Sequence, residues 1–341
     1  MKKLTKNKKI AIVSILIVVL LGTAFGVYQY NQIKDAKAVF LKQQEAERKL
    51  QEELDSQQEA KDGVSTIYQQ DRINILLMGF DKNEARDEYY RLFRPDAIVL
   101  VSMNLSDDTV DLISFPRDSK VWIAHRPGMD KINASFYYGH DLGGGKTDEE
   151  KELMGYKYVV DTVSEFLGNI YINNYIAIDM DGFIKLIDDI GGVEVFVEED
   201  VYYANYENRL IAEAGQQTMM GKQFLAYIND REGDATKDVD RASKMQEAFQ
   251  MVYDQLKKQN KISIIPKLIS NYNENIDTDL SLKEMSALGL YVQKINISTM
   301  NKYVVKGEYE YIDNNIYYIP DQNERFELVK NVFGFEFTPE R

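Results

Sequence analysis

The 341-residue sequence has no cysteine, only two histidines (His125 and His140), and no proline before Pro95. The missing thiols exclude a disulfide scaffold, a thiolate zinc site and a cysteine nucleophile together. Two histidines are too few for a His-rich metal centre. Positive charge is also short: 41 Lys and Arg stand against 55 Asp and Glu, a formal net charge of −14. That balance argues against general nucleic-acid binding, which needs a basic surface to displace counterions. Asp, Glu, Arg, Lys and hydroxyl groups are left to carry any chemistry.

The charge is unevenly spread. Residues 1–30 hold Lys2, Lys3, Lys6, Lys8 and Lys9 and no acid, which leaves 36 basic against 55 acidic residues, a balance of −19, over residues 31–341. After this basic head, Ile10 to Tyr28 reads IAIVSILIVVLLGTAFGVY, free of charge. These nineteen residues, at about 1.5 Å each in a helix, span roughly 28 Å, the thickness of a hydrocarbon core. The lysines precede the span, so the positive-inside rule places the N-terminus in the cytoplasm and the remainder outside a cell membrane. The alternative is a cleaved signal peptide, for which Ala24-Phe25-Gly26 is a passable small-x-small site, although such an apolar region is normally about 7–15 residues long. The reading adopted is a single-pass, uncleaved anchor.

The expected organisation is a cytoplasmic head (1–9), a transmembrane helix (10–28), a solvated helical stalk (29–64) and an extracellular body (65–341), its core at about 72–258. The stalk is rich in Gln, Glu, Lys and Ala, with Leu41, Leu50 and Leu54 too sparse for sustained heptads. Gly63 is placed to end it. In the body, the apolar runs Arg72–Gly79, Ala97–Met103 and Val110–Phe115 predict strands, the last two joined as a hairpin through Asn104, Ser106, Asp107 and Asp108. Apolar spacing predicts helices over 147–168, Met180–Ile190, Met219–Asn229 and about Asp238–Lys258, with strands at Tyr175–Ile178 and Val193–Val197. Met245, Phe249, Val252 and Leu256 form a stripe on one helix face that reads as core. Helices near 281–295 and 321–333 and strands near 302–306 and 316–319 complete the pattern. Helices and strands alternate without a strict βαβ rhythm. The expected fold is therefore α/β (α+β), layered, with a central mixed sheet flanked by helices.

Three polar clusters interrupt the apolar pattern. Asp81 follows the first strand, and Arg94-Pro95-Asp96 precedes the second. If those strands are neighbours, both carboxylates share one sheet edge, where two hard oxygen ligands beside a guanidinium suit Mg²⁺ holding a phosphate. The plainer reading is a turn-forming Asp81 and an Asp96 paired locally with Arg94. Phe115-Pro116-Arg117-Asp118 ends the third strand and places Arg117 toward the same edge as part of a phosphate clamp. Lys131-Ile132-Asn133-Ala134 adds a Lys and an Asn in an expected loop. The third cluster runs from Asn229-Asp230-Arg231 to Asp238-Val239-Asp240-Arg241. Asp238 and Arg241 are three apart at a helix start, where unpaired N–H groups favour anions. An N-cap role for Asp238 fits equally well.

The ordered set NILLMGFD, RPDAIVLVSMN, LISFPRDSKVWI, KINASFYYG, DGFIKLIDDIGGVEV, GKQFLAYINDRE and DVDR resembles the LytR–CpsA–Psr family over roughly Arg72 to Leu256, and NIDTDLSLKEM resembles its tail. The resemblance implies an extracellular transferase of Gram-positive cells that moves a glycopolymer (teichoic acid, capsule or another wall polysaccharide) from an undecaprenyl-pyrophosphate carrier to peptidoglycan. It leaves a phosphodiester and undecaprenyl phosphate. By the same resemblance, Asp81 and Asp96 bind Mg²⁺ (or Mn²⁺), and Arg94, Arg117, Lys131, Arg231, Arg241 and Lys244 surround the pyrophosphate. Arg117, Asp238 and Arg241 are then the catalytic set, Asp238 helping to activate the acceptor hydroxyl, and the lipid tail lies in an apolar tunnel between sheet and helices. Such phosphoryl transfer needs charge neutralisation and positioning but neither Cys nor His. The family usually has Arg where Asn229 stands and Arg-Gln where Lys244-Met245 stands; Gln246 follows one residue, about 100°, further round the helix. A lipid-pyrophosphate-binding regulator with little turnover is the competing reading. A transcriptional regulator is contradicted by an acidic body outside the membrane.

Overall fold

The computed structural model describes residues 36–57, 66–69, 71–81, 94–203, 209–229, 238–258, 276–292 and 300–338. The lysine head, the apolar span Ile10–Tyr28 and Gly63 lie outside the described residues. Among the described residues no helix is long and apolar enough to cross a membrane.

A first helix, α1 (Ala36–Gln57), precedes three strands: β1 (Arg72–Phe80), β2 (Pro95–Asn104) and β3 (Thr109–Ser114). A small hairpin, β4 (Lys120–Trp122) and β5 (Met129–Lys131), leads into α2 (Ala134–Leu142) and α3 (Asp148–Phe166). Then come β6 (Asn174–Asp179), α4 (Met180–Asp189), β7 (Val193–Val197), β8 (Val201–Tyr202), β9 (Leu210–Ala212), β10 (Gly215–Met219), α5 (Gly221–Asn229) and α6 (Asp238–Lys258). The chain continues with β11 (Ile276–Thr278), α7 (Leu282–Val292), β12 (Met300–Val304), the hairpin β13 (Gly307–Ile312) and β14 (Asn315–Pro320), and α8 (Gln322–Phe333).

The central sheet has the order β11-β6-β1-β2-β3-β12. It is mixed, as expected: β1 pairs antiparallel with β2 but parallel with β6, and β3 pairs parallel with β12. The two edge strands come from the last quarter of the chain, so residues 276–304 complete the same layer that β1 begins. Both faces of β1 are covered, which is why it reads as a near-continuous apolar run. Leu76, Met78, Ile98, Leu100 and Ile113 face α3 and α8 through Val159, Val163, Val329 and Val332. On the other face, Ile73, Met103 and Leu112 meet Phe40 of α1 and Ala287 and Tyr291 of α7.

The stalk expectation needs correction here. α1 is helical, but Val39, Phe40 and Gln44 are buried against the body, and Gln44 Nε2 donates to the Gln69 carbonyl at 2.7 Å. Local signals set the other helices. Thr147 and Glu150 form a capping box at the start of α3, whose first turn is acidic. Asp179 and Asp321 cap α4 and α8. The loop expected around Asn133 instead opens α2, a segment of low helix propensity that forms because it packs tightly on α3. A Cβ on Gly139 would stand 2.2 Å from the Met154 carbonyl oxygen, so only glycine permits that approach. Met219, expected to start a helix, ends β10.

Gln246 fastens α6 to the sheet. It is buried, and its Nε2 donates to Tyr303 O at 2.7 Å and Ser114 Oγ at 2.9 Å. Gln246→Leu strands these acceptors and is expected to cost about 2–4 kcal/mol, read as a lower denaturation midpoint. An unchanged midpoint would mean that the apolar face alone holds the helix.

Candidate active site

The site begins with the two-residue period of β1. Ile75, Leu77 and Gly79 face the helices on the α6 side, and the next residue in phase is Asp81. On β2 the pairing passes from Gly79↔Ala97 to Phe80↔Pro95, so Asp96 is the extra residue of a bulge. The bulge turns Asp96 to the same side as Ala97, against the normal alternation. Parallel pairing sets Asp179 of β6 opposite Phe80. Asp179 caps α4, its Oδ1 accepting from Gly182 N at 2.7 Å. Asp81, Asp96 and Asp179 therefore stand at one end of a cavity of about 920 Å³ enclosed by the sheet and α4, α5, α6 and α7.

The rest of that cavity is predominantly apolar, with Thr278, Ser286 and Lys257 among its few polar lining residues. The α6 stripe Met245, Phe249, Val252 and Leu256, read as core from its spacing, forms one wall, facing Ile75, Val99 and Ile176, in keeping with the apolar tunnel that the family resemblance implies. Helical spacing identified the face, and the void in front of it was implied by the family resemblance alone.

A chain of alternating charges extends from the rim. Arg117, just past β3 and Pro116, donates from Nη1 to Asp96 Oδ1 at 2.6 Å, and its Nε lies 3.8 Å from Asp118 Oδ2. Lys131 Nζ reaches Asp118 Oδ1 at 2.8 Å. Backbone bonds from Asn133 N to Arg117 O (3.3 Å) and from Ile132 N to Ser119 O (2.8 Å) knit the two segments together. Lys131 Nζ also sits 5.6 Å from the Tyr317 ring centroid. Burial and the Asp130 carboxylate hold the Tyr317 phenol above its usual range, so it remains a neutral donor at physiological pH.

The structure thus brings Asp81, Asp96, Arg117 and Lys131 into one neighbourhood. Asp96 bonds to Arg117, the more distant of the two candidate partners. Arg94 stands exposed with its guanidinium carbon 5.8 Å from the Tyr137 ring centroid of α2. Ala242 and Met245 line a small gap together with Asp96 and Arg117, which brings the first turn of α6, carrying Asp238 and Arg241, to the same rim. Arg231 lies outside the described residues, as do the side chains of Asp238 and Arg241. Lys244 is exposed and lines neither the cavity nor the gap, so the structure does not join it to this cluster. Asn229 lines the cavity at its polar end.

Sequence reasoning missed the second bond of Asp118, the rim position of Asp179 and the approach of Tyr317. Asp118 had a signal, its place after Arg117. The other two depend on β6 and β14 arriving from far along the chain.

Asp81 and Asp96 suit a hard divalent cation in donor type, and among the described residues no cluster of three or more acidic or histidine groups could enclose one. An ion held by two carboxylates takes its remaining ligands from phosphate oxygens and water, the usual manner of Mg²⁺ at phosphate sites.

Known proteins resemble this chain in sequence and in fold. TagU of Oceanobacillus iheyensis, a polyisoprenyl-teichoic acid–peptidoglycan teichoic acid transferase, is 30% identical over 273 residues, covering 79% of this chain and 78% of that protein. The protein of the same name from Halalkalibacterium halodurans is 27% identical over 300 residues, 86% of each. Among solved structures, Bacillus subtilis TagV superposes with a TM-score of 0.62 at 24% identity, covering 78% of this chain and 97% of that one. TagT bound to LIIa-WTA gives 0.61 at 22%, covering 78% and 92%. These likenesses establish the fold. A model of the LytR_cpsA_psr family matches residues 37–333, and the chain belongs to that family.

Proposed function

We propose that the protein is a membrane-anchored phosphotransferase that moves a glycopolymer from a polyprenyl-pyrophosphate carrier to peptidoglycan. The observation that carries this reading is an apolar cavity ending at Asp81, Asp96 and, through Asp96, Arg117. A greasy chain with a pyrophosphate head matches that juxtaposition, the chain lying against Ile75, Val99 and Phe249 and the phosphates at the rim. The names of the TagU relatives support a glycopolymer as cargo and peptidoglycan as acceptor. The lysine head and the charge-free Ile10–Tyr28 support anchoring through one helix with the body outside the cell.

In the proposed reaction an acceptor hydroxyl oxygen bonds to the sugar-bearing phosphorus and the bridging P–O bond breaks. Polyprenyl phosphate leaves, and the hydroxyl proton passes to a base, a role assigned to Asp238. Arg117 grips the phosphate oxygens, Asp118 holds Arg117 and Lys131 in place, and the cavity retains the lipid. Asp81 and Asp96 are the residues that would hold a Mg²⁺ ion, which would supply neutralisation of charge on the pyrophosphate.

The test is incubation of the full chain, purified in detergent, with a synthetic polyprenyl-pyrophosphate saccharide, peptidoglycan oligomer and Mg²⁺. Transfer gives polyprenyl phosphate and a saccharide phosphodiester on peptidoglycan. Tight binding of the lipid without either product would favour the regulator reading instead. Met245 is the observation behind that alternative, because it sets a thioether in the gap beside Asp96 and Arg117. One missing charge-assisted hydrogen bond slows catalysis by roughly ten- to a hundredfold without abolishing it. Asn229→Arg combined with Met245→Gln adds a cation and an amide at the rim and is expected to raise the rate by about that factor. A double variant no faster than the wild type would show that these positions do not limit turnover.

A further inference from the structure

The β4–β5 hairpin carries a patch of which Lys120, Trp122 and Met129 have no part in the proposed chemistry. Register pairs Lys120 with Lys131 and Trp122 with Met129. These four side chains share one face, while Val121 points into the core. Trp122, the only tryptophan of the chain, is 36% exposed, and Met129 is 45% exposed. The patch is rigid beneath. Ile123 and Ala124 are buried, Ala124 N donates to Thr162 Oγ1 at 3.1 Å, and His125 bonds to Asp161 at 2.6 Å. Lys120 Nζ rests 5.3 Å from the Tyr317 ring centroid and has no carboxylate partner among the described residues.

We propose that this face is the subsite for the peptidoglycan acceptor: a saccharide strand whose sugar rings lie on Trp122 and Met129 and whose carboxylate groups meet Lys120. The inference rests on the transferase reading above and adds where the acceptor lies. Its direction follows from the reaction. In phosphoryl transfer the attacking and leaving oxygens lie roughly in line through the phosphorus. The leaving polyprenyl phosphate is on the cavity side, so the acceptor hydroxyl arrives from the opposite side. From the cavity the charged chain runs through Asp96, Arg117 and Asp118 to Lys131, and Lys131 is the cross-strand neighbour of Lys120. The exposed ring and the lysine without an acidic partner therefore stand where the acceptor must approach. A pre-set aromatic on a pinned hairpin loses little entropy on binding.

Because Trp122 is the sole tryptophan, fluorescence of the full chain in detergent, excited at the red edge where the 23 tyrosines do not absorb, reports on this face. Titration with a lipid-free disaccharide-peptide fragment of peptidoglycan is expected to give a saturable change, weakened about tenfold by Lys120→Ala. In the transfer assay Trp122→Ala is expected to raise KM for peptidoglycan about tenfold, with KM for the lipid-linked donor unchanged. No saturable change, together with normal acceptor KM in Trp122→Ala, would overturn the subsite while leaving the transferase reading intact. A saturable change without any transfer would uphold the subsite and defeat the transferase reading. A response to lipid-linked donor alone would assign the face to donor sugars, and a response to anionic phospholipid vesicles alone would assign it to the membrane; either result overturns the proposal.

Discussion

Arg117→Ala is expected to lower the transfer rate by about a thousandfold while leaving the fold in place. The guanidinium does two things at once. In the proposed reaction it grips phosphate oxygens at the rim, and in the structure it pairs with the half-buried Asp96 at 2.6 Å. Alanine removes the proposed charge-assisted bonds to phosphate, each about 1.5–3 kcal/mol, together with the 2.6 Å ion pair to Asp96. Arg117→Lys should recover only a small part of the loss. One ammonium cannot copy the fork in which Nη1 serves Asp96 while Nε turns toward Asp118. The checks are single-turnover rates and a thermal melt on the same preparations. A rate within tenfold of wild type would remove Arg117 from the catalytic set.

The second large effect concerns the two carboxylates. Under the proposed Mg²⁺ reading, Asp81→Ala and Asp96→Ala should each cost about a thousandfold, since emptying the metal site would forfeit several kcal/mol of charge stabilisation. The double variant should be little worse than either single one, because the first removal already empties the site. Asp96→Ala should be the more damaging of the two, because it also frees Arg117 from its 2.6 Å partner. Rates measured across a Mg²⁺ titration separate the roles: Asp81→Ala should need far more Mg²⁺ for half its maximal rate. Losses that add in the double variant would mean that the carboxylates act independently.

Other site features could be read from the linear chain only in part. The strand runs of β1, β2 and β3 were legible because burial on both faces writes continuous apolar sequence. Asp81 and Asp96 were legible as a pair because each adjoins a strand end. The bulge that turns Asp96 toward the cavity was not, since it depends on how β2 pairs with Gly79 and Phe80. Gln246 lay one step off the expected amide position. What it does instead, fastening α6 to Ser114 and Tyr303, requires β3 and β12 to be adjacent. Lys244 illustrates the same limit: a cation in a promising motif is exposed and lines neither the cavity nor the gap, while its neighbour Met245 lines both.

Residue order alone settled the apolar strands and helices, the acidic balance of the body, the absence of thiol chemistry and the family motifs, because all of these follow from local composition and short-range period. The tertiary structure decided which apolar face meets another and which encloses a void: the α6 stripe is identical in sequence terms whether it packs or lines a cavity. It also decided the charged chain Asp96–Arg117–Asp118–Lys131 and the approach of Tyr317, whose members run from position 96 to position 317 of the chain. Charges so far apart in sequence acquire partners only when sheet order and register bring them within a few ångströms, and no local pattern encodes that distance.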